Sequence, residues 1–252
     1  MNKVVLLVLV CSFSYAQEVK RKLVWEESFN KKAINEKFWN FEVGDGCPNS
    51  CGFGNNERQI YTKINHEVKD SNLVIEARKE GNKYTSTKIT TKGKKEFKYG
   101  RIEARAKLPV GQGIWPAFWM LGANIDEVQW PKSGEIDILE YIGRDPHMVY
   151  TTLHTQDSHG NTINTKRTEF LNIEEGYHVY AIEWDKDKIE FFVDKTLVYT
   201  FNPSIKNEDT WPFDNPFYII LNLAVGGNFG GPEVDDAIFS QKFYIDYVRV
   251  YQ

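Results

Sequence analysis

The chain has 252 residues, 14% of them aromatic, and a formal charge of −4 from 31 Lys and Arg against 35 Asp and Glu. That length suits one all-β domain with a sizeable core, or two small ones. The mild negative balance argues against nucleic acid or an anionic membrane as partner, since both recruit basic patches.

Residues 1–16 read as a signal peptide. Lys3 precedes an apolar run over residues 4–10, and Ser14-Tyr15-Ala16 offers a small-x-small cleavage site before Gln17. The run is too short to span a bilayer. Val10 stands where a lipobox requires a small residue before Cys11, which argues against a lipid anchor. An exported protein is expected, secreted or periplasmic, with residues 17–252 forming a single domain.

Residues 23–29 alternate apolar and acidic side chains and read as a first strand, followed by a short aromatic run over 37–41. Residues 44–56 are rich in Gly and Asn and are expected to be loop without regular structure. That loop carries Cys47 and Cys51. In an exporting compartment a local disulfide is the first expectation, a free pair is the alternative, and no second Cys or His pair stands at zinc-ligand spacing. Alternating runs then follow over 72–77, 84–91, 99–108, 148–155, 177–184, 189–193, 197–201, 218–224 and 243–251. Their spacing predicts an all-β sandwich with no linker and no repeat. In the run over 99–108, Arg101, Glu103 and Arg105 share a face. Trp115 and Trp119 fall four apart around Pro116, which bars an ordinary helix interior, so on a strand they too share a face.

The densest chemistry lies in Gly134-Glu135-Ile136-Asp137-Ile138-Leu139-Glu140-Tyr141, three carboxylates in an otherwise buried-type strand. Alternation puts Glu135 and Asp137 on one face and Glu140 on the other. One extra residue around Ile138-Leu139, a β-bulge, would return Glu140 to the face of the other two. From the residues alone two readings stand: a solvated acidic edge strand, or a catalytic set. A retaining glycosidase needs two carboxylates roughly 5–5.5 Å apart, and a third acid between them would push their pKa values apart.

The stretch from Glu135 to Glu140 resembles the bulged E-x-D-x-x-E signature of glycoside hydrolase family 16, shared by its laminarinases and lichenases. Trp115-Pro116-Ala117-Phe118-Trp119-Met120-Leu121 and Trp130-Pro131-Lys132-Ser133 are similar to the same family. So are Gly54-Asn55-Asn56-Glu57-Arg58-Gln59-Ile60-Tyr61-Thr62 and Asn222-Leu223-Ala224-Val225-Gly226-Gly227-Asn228-Phe229. The resemblance runs from Trp25 to Tyr251. It implies a β-jelly-roll of two curved antiparallel sheets with a concave cleft. It also implies an endo-acting, retaining β-1,3-glucanase that takes laminarin-type polysaccharide and needs no catalytic cofactor.

Carried over by residue, Glu135 is the implied nucleophile, with a lowered pKa. Asp137 is its assistant, and Glu140 is the acid/base, with a raised pKa. Asn55 is implied to line the cleft, with Phe53 where laminarinase-like members usually carry Trp. Trp115, Trp119 and Trp130 are implied stacking rings, His154 a supporting group beside substrate, and Asn222 a partner of a sugar hydroxyl. Arg101 is implied to reach a sugar subsite, while Arg105, an isolated charge, reads as a solvated surface group. His159 is given no role. A structural calcium on the convex side would use Glu27 and Asp246, within six to eight oxygen ligands. The protein is expected to act as a monomer. Other activities open in this class are β-1,3-1,4-glucan hydrolysis, galactan hydrolysis and transglycosylation. A non-catalytic carbohydrate-binding module is the reading outside it.

Overall fold

The structure is a computed structural model and describes residues 21–252. The expected signal peptide and Cys11 lie outside the described residues. Two sheets carry the fold. The first has ten strands. Its main path runs Thr196–Phe201, Ile189–Val193, His178–Trp184, Gly100–Lys107, Gln241–Tyr251, Asn72–Glu80, Lys83–Ser86 and Gln59–Tyr61. Leu23–Glu27 also pairs with Gln241–Tyr251, and His66–Lys69 with Asn72–Glu80. The second sheet has eight strands. Its path is Thr165–Glu169, Met148–His154, Glu135–Glu140, Ile114–Gly122, Phe217–Val225, Lys88–Thr90 and Asn40–Glu42, with Glu96–Phe97 also on Phe217–Val225. Every pairing is antiparallel except that of Gln59–Tyr61 with Lys83–Ser86.

Period-two alternation explains how the sheets meet. Ile102, Ala104, Ala106, Val248 and Val250 from the ten-stranded sheet are fully buried. They belong to one cluster with Phe118, Met120, Ile136, Leu221 and Leu223 of the eight-stranded sheet. Burying a side chain of this size stabilises by about 1.5–3 kcal/mol, so a shared inner face over this many strands fixes the register. The expected sandwich is found.

Two departures from expectation have physical causes, and the expected disulfide is found. The run over 84–91 is not one strand. Lys83–Ser86 belongs to the ten-stranded sheet and Lys88–Thr90 to the eight-stranded one. The chain crosses at Thr87, whose buried hydroxyl donates to the Thr62 carbonyl at 2.8 Å. The loop over 44–56 contains one 3-10 turn, Cys51–Gly54. Cys47 and Cys51 are joined as a disulfide across that loop. Gly46 is required there: at φ +84° an added Cβ would lie 2.1 Å from the Ser50 carbonyl oxygen.

Candidate active site

The register around Glu135–Glu140 contains the expected bulge. On one side Ala117 faces Glu140, Phe118 faces Leu139, Trp119 faces Asp137 and Leu121 faces Glu135, so Ile138 has no partner. On the other side Glu135 faces His154, Asp137 faces Thr152 and Glu140 faces Tyr150. Two residues therefore oppose Thr151 alone, and the strand gains one residue. Ile136, Ile138 and Leu139 all go to the core. Glu135, Asp137 and Glu140 share the outer face with Trp119, Thr152 and His154.

Each acid has its own partners. Glu135 Oε2 accepts from Trp130 Nε1 at 2.7 Å. His154 Nε2 stands 3.4 Å from Asp137 Oδ2 and 3.8 Å from Glu135 Oε1. Glu140 Oε1 accepts from Trp115 Nε1 at 3.1 Å, and its Oε2 from Thr152 Oγ1 at 3.4 Å. Asp137 and Glu140 are only 3% and 9% exposed, while Glu135 is half-buried.

Burial pushes the Glu135 carboxyl up to about 8; the Asp137 charge adds to the rise, and His154 and the Trp130 donor oppose it. Burial raises Asp137 to about 7. Glu140 stands well above the carboxylate range, through burial first and the charges of Asp137 and Glu135 behind it. A raised Glu140 is as expected for an acid. A lowered Glu135 is not found, because Glu135 shares its dry pocket with a second carboxylate. The two titrate as a pair. The Trp130 donor favours charge on Glu135, but the Glu135 carboxyl still stands above that of Asp137, so the proton of the resting pair lies first on Glu135 and is passed toward Asp137 only as Glu135 ionises.

The floor beside the acids is a wired aromatic platform. Trp119 Nε1 donates to Asn222 Oδ1 at 2.7 Å, and Asn222 Nδ2 donates to the Tyr61 hydroxyl at 3.0 Å. Tyr61 donates to Glu57 Oε2 at 3.4 Å; Gln59 and Asn55 donate to the same carboxylate at 2.6 and 3.3 Å. Asn222 is thus buried with both ends of its amide engaged, and it orients Trp119 instead of offering itself to a sugar hydroxyl. Asn55 lies against the Gly226-Gly227-Asn228 turn, its carbonyl accepting from Asn228 N at 2.6 Å. Trp115 is 9% exposed and packs edge-on to Phe229. Trp130 is 44% exposed beside Glu135.

Two implied sites are not assembled. Arg101 lies in the ten-stranded sheet, away from the acids. Ile102, Ala104 and Ala106 turn inward there, so Arg101 turns out, pairing with Glu103 at 2.7 Å and Glu183 at 3.3 Å. Arg105 is on the same outer face, paired with Asp246 at 2.5 Å. That ion pair uses the Asp246 carboxylate, while Glu27 Oε1 accepts from the Phe29 amide at 3.1 Å. Glu27 and Asp246 therefore do not form the oxygen-rich set that calcium needs, and no calcium is assigned to them.

Three residues escaped the sequence reading. Lys88 is almost buried, with its Nζ 4.7 Å from the centre of the Phe53 ring, 5.2 Å from that of Trp119 and 3.1 Å from Glu42 Oε1. Glu57 gathers the platform, and burial raises its pKa. His159 packs edge-on against Trp130 at 5.3 Å. A lysine inside an alternating apolar run was the available signal for Lys88; the other two depend on loop paths that no local pattern encodes.

The family model described as glycosyl hydrolases family 16 matches residues 53–249. The chain is 69% identical to the crystal structure of a laminarinase from Flavobacterium sp. UMI-01, with a TM-score of 0.91 over 92% of this chain and 100% of that one. It is 44% identical to the laminarinase catalytic domain of Thermotoga maritima, with a TM-score of 0.86 over 92% of this chain and 98% of that one. A beta-glucanase of Rhodothermus marinus is 40% identical over 249 residues, covering 92% of this chain and 85% of that protein. With the acids, the bulge and the two-sheet sandwich all in place, the chain belongs to glycosyl hydrolases family 16.

Proposed function

We propose that the chain is an endo-acting, retaining β-1,3-glucanase of laminarin-type polysaccharide. The observation that carries this reading is the bulge at Ile138, which sets Glu140 on the same outer face as Glu135 and Asp137. The two solved structures compared above are laminarinases, which supports β-1,3-glucan as substrate. Endo action is supported by the position of the Glu135–Glu140 strand, which has further strands on both sides of it in its sheet. A sugar chain can then extend across the face in either direction.

The residues divide the work. Glu140 gives its proton to the glycosidic oxygen as Glu135 attacks the anomeric carbon, and the sugar is held as a glycosyl-enzyme. Water, deprotonated by the Glu140 carboxylate, then releases the sugar with its configuration kept. Asp137 takes up the proton that Glu135 must lose to be a nucleophile. Trp130 and His154 stabilise the charge on Glu135, and Trp115 that on Glu140. Two carboxylates suffice, and no cofactor enters. Export through residues 1–16 and action as a monomer complete the proposal.

Reducing-sugar release from laminarin, curdlan, lichenan, agarose and carrageenan tests it, with Glu135→Ser alongside. Release greatest from laminarin, and lost in the variant, is expected. Release greatest from lichenan would reassign the substrate to mixed-linkage glucan. A chain that is retarded by laminarin in an affinity gel yet releases nothing is a binding module.

A further inference from the structure

The residues that serve hydrolysis in this pocket also form a donor set of a second kind. His154 Nε2, Asp137 Oδ2 and a Glu135 oxygen all lie within 4.8 Å of one another, the only such gathering of three donors among the described residues. The nearer separations are 3.4 Å from His154 Nε2 to Asp137 Oδ2 and 3.8 Å to Glu135 Oε1. Zinc bonded to nitrogen and oxygen at ~2.0–2.2 Å in tetrahedral geometry places its ligand atoms about 3.4 Å apart. The two edges from His154 Nε2 are therefore close to those of one face of such a tetrahedron before any side chain moves, and the third, between the carboxylates, lies within 4.8 Å.

A second observation is independent of the clustering. Asp137 is 3% exposed, and its Oδ2 has no hydrogen-bond partner. A buried carboxylate oxygen left without a donor costs free energy, and it is the one aimed at His154 Nε2. The fourth corner is open, since Glu135 and His154 keep 17% and 13% of their side-chain surface in solvent. Imidazole with two carboxylates suits borderline divalent ions such as Zn²⁺ and Cu²⁺ better than calcium or magnesium, which prefer oxygen alone.

We propose that His154, Asp137 and Glu135 form a binding site for a divalent transition cation of the zinc class, and that the bound cation inhibits the enzyme. The ion uses the Glu135 oxygen that must attack the anomeric carbon, so cation and glucan exclude each other. His154 Nδ1 is buried without a partner. The ligand thus lacks the acceptor that would orient it in a dedicated metal centre, and the site is a reversible inhibitory one, not a structural one.

Calorimetry with zinc on the full, chelator-treated protein tests the binding. One zinc per chain is expected, weakened at least about tenfold in His154→Asn and in Asp137→Asn. Thermal unfolding of each variant shows whether it has folded. A test without variants uses the parent protein saturated with a laminarin oligosaccharide, which should abolish zinc uptake. Zinc bound with unchanged affinity in both variants, zinc uptake undiminished by the sugar, or no zinc binding by the parent protein would each overturn the proposal. Only the inhibition rests on the proposed function. A chain that cleaves laminarin but binds no zinc loses this inference alone; one that binds zinc but cleaves no glucan loses the functional reading instead.

Discussion

The indole N–H of Trp115 lies 3.1 Å from Oε1 of Glu140, on the neighbouring strand. It is the closer of the two donors on Glu140, the proposed acid/base. Hydrogen bonds to a charged group contribute about 1.5–3 kcal/mol. Trp115→Phe keeps the ring and removes the donor, so the ionised form of Glu140 loses that support. The basic limb of the kcat/KM profile should move up by about one to two pH units. An unmoved limb would mean that the indole does not tune this carboxyl.

Burial of the acids has a consequence for stability. Glu135, Asp137 and Glu140 all have folded-state pKa values above the ordinary carboxylate range, whereas in the unfolded chain they ionise near about 4. Between those limits the folded state holds more protons than the unfolded one, so stability falls as pH rises. The window opens near about 4 and extends through about 8 for Glu135. Glu140→Gln removes one contributor. Its Tm should exceed that of the parent at pH 8 by at least about 2–4 °C, the equivalent of about 1 kcal/mol in a chain of this size. At pH 4 the two should converge. A parallel pair of Tm curves would contradict the burial argument.

The bulge is testable by deletion. Removing Ile138 removes the bulge and leaves the three acids at every second residue of a regularly pleated strand, so Glu140 should stay on the outer face with activity retained. Ile138→Val keeps the extra residue and should cost only about 0.5–1.5 kcal/mol with activity retained. Urea unfolding and sugar release on both variants read this directly. A folded deletion variant without activity would show that regular pleating does not return Glu140 to the face of Glu135 and Asp137.

What the sequence made legible was whatever a period of two can carry. Three acids in six residues have no one-sided arrangement without an extra residue, so the bulge at Ile138 could be read before any coordinates. The long strands followed from the same alternation. Thr165–Glu169 did not, because it is polar and mostly exposed. Nor did the sheet change at Thr87, since alternation tells which residues share a face but not which sheet the strand joins. The same gap misplaced Arg101, whose strand alternates clearly but belongs to the other sheet. It also hid the role of Asn222, whose partners Trp119 and Tyr61 come from distant segments. The raised pKa of Glu135 depends on the depth of a pocket, which no spacing reveals.

Arg101→Ala follows from that correction. The guanidinium pairs with buried Glu103 and with Glu183, so its loss leaves a buried carboxylate short of a partner and should cost about 1–3 kcal/mol. KM for laminarin should not change. A KM raised several-fold would bring Arg101 back into the substrate site.

The account stands most directly on the division of labour between Glu135 and Glu140. Proton NMR of the anomeric signal during the first minutes of laminarin-oligosaccharide cleavage reads it. A first-formed product in the β configuration, mutarotating later to α, with no product from Glu135→Ser, is the predicted result. A first-formed α product, or a Glu135→Ser variant as active as the parent, would contradict it.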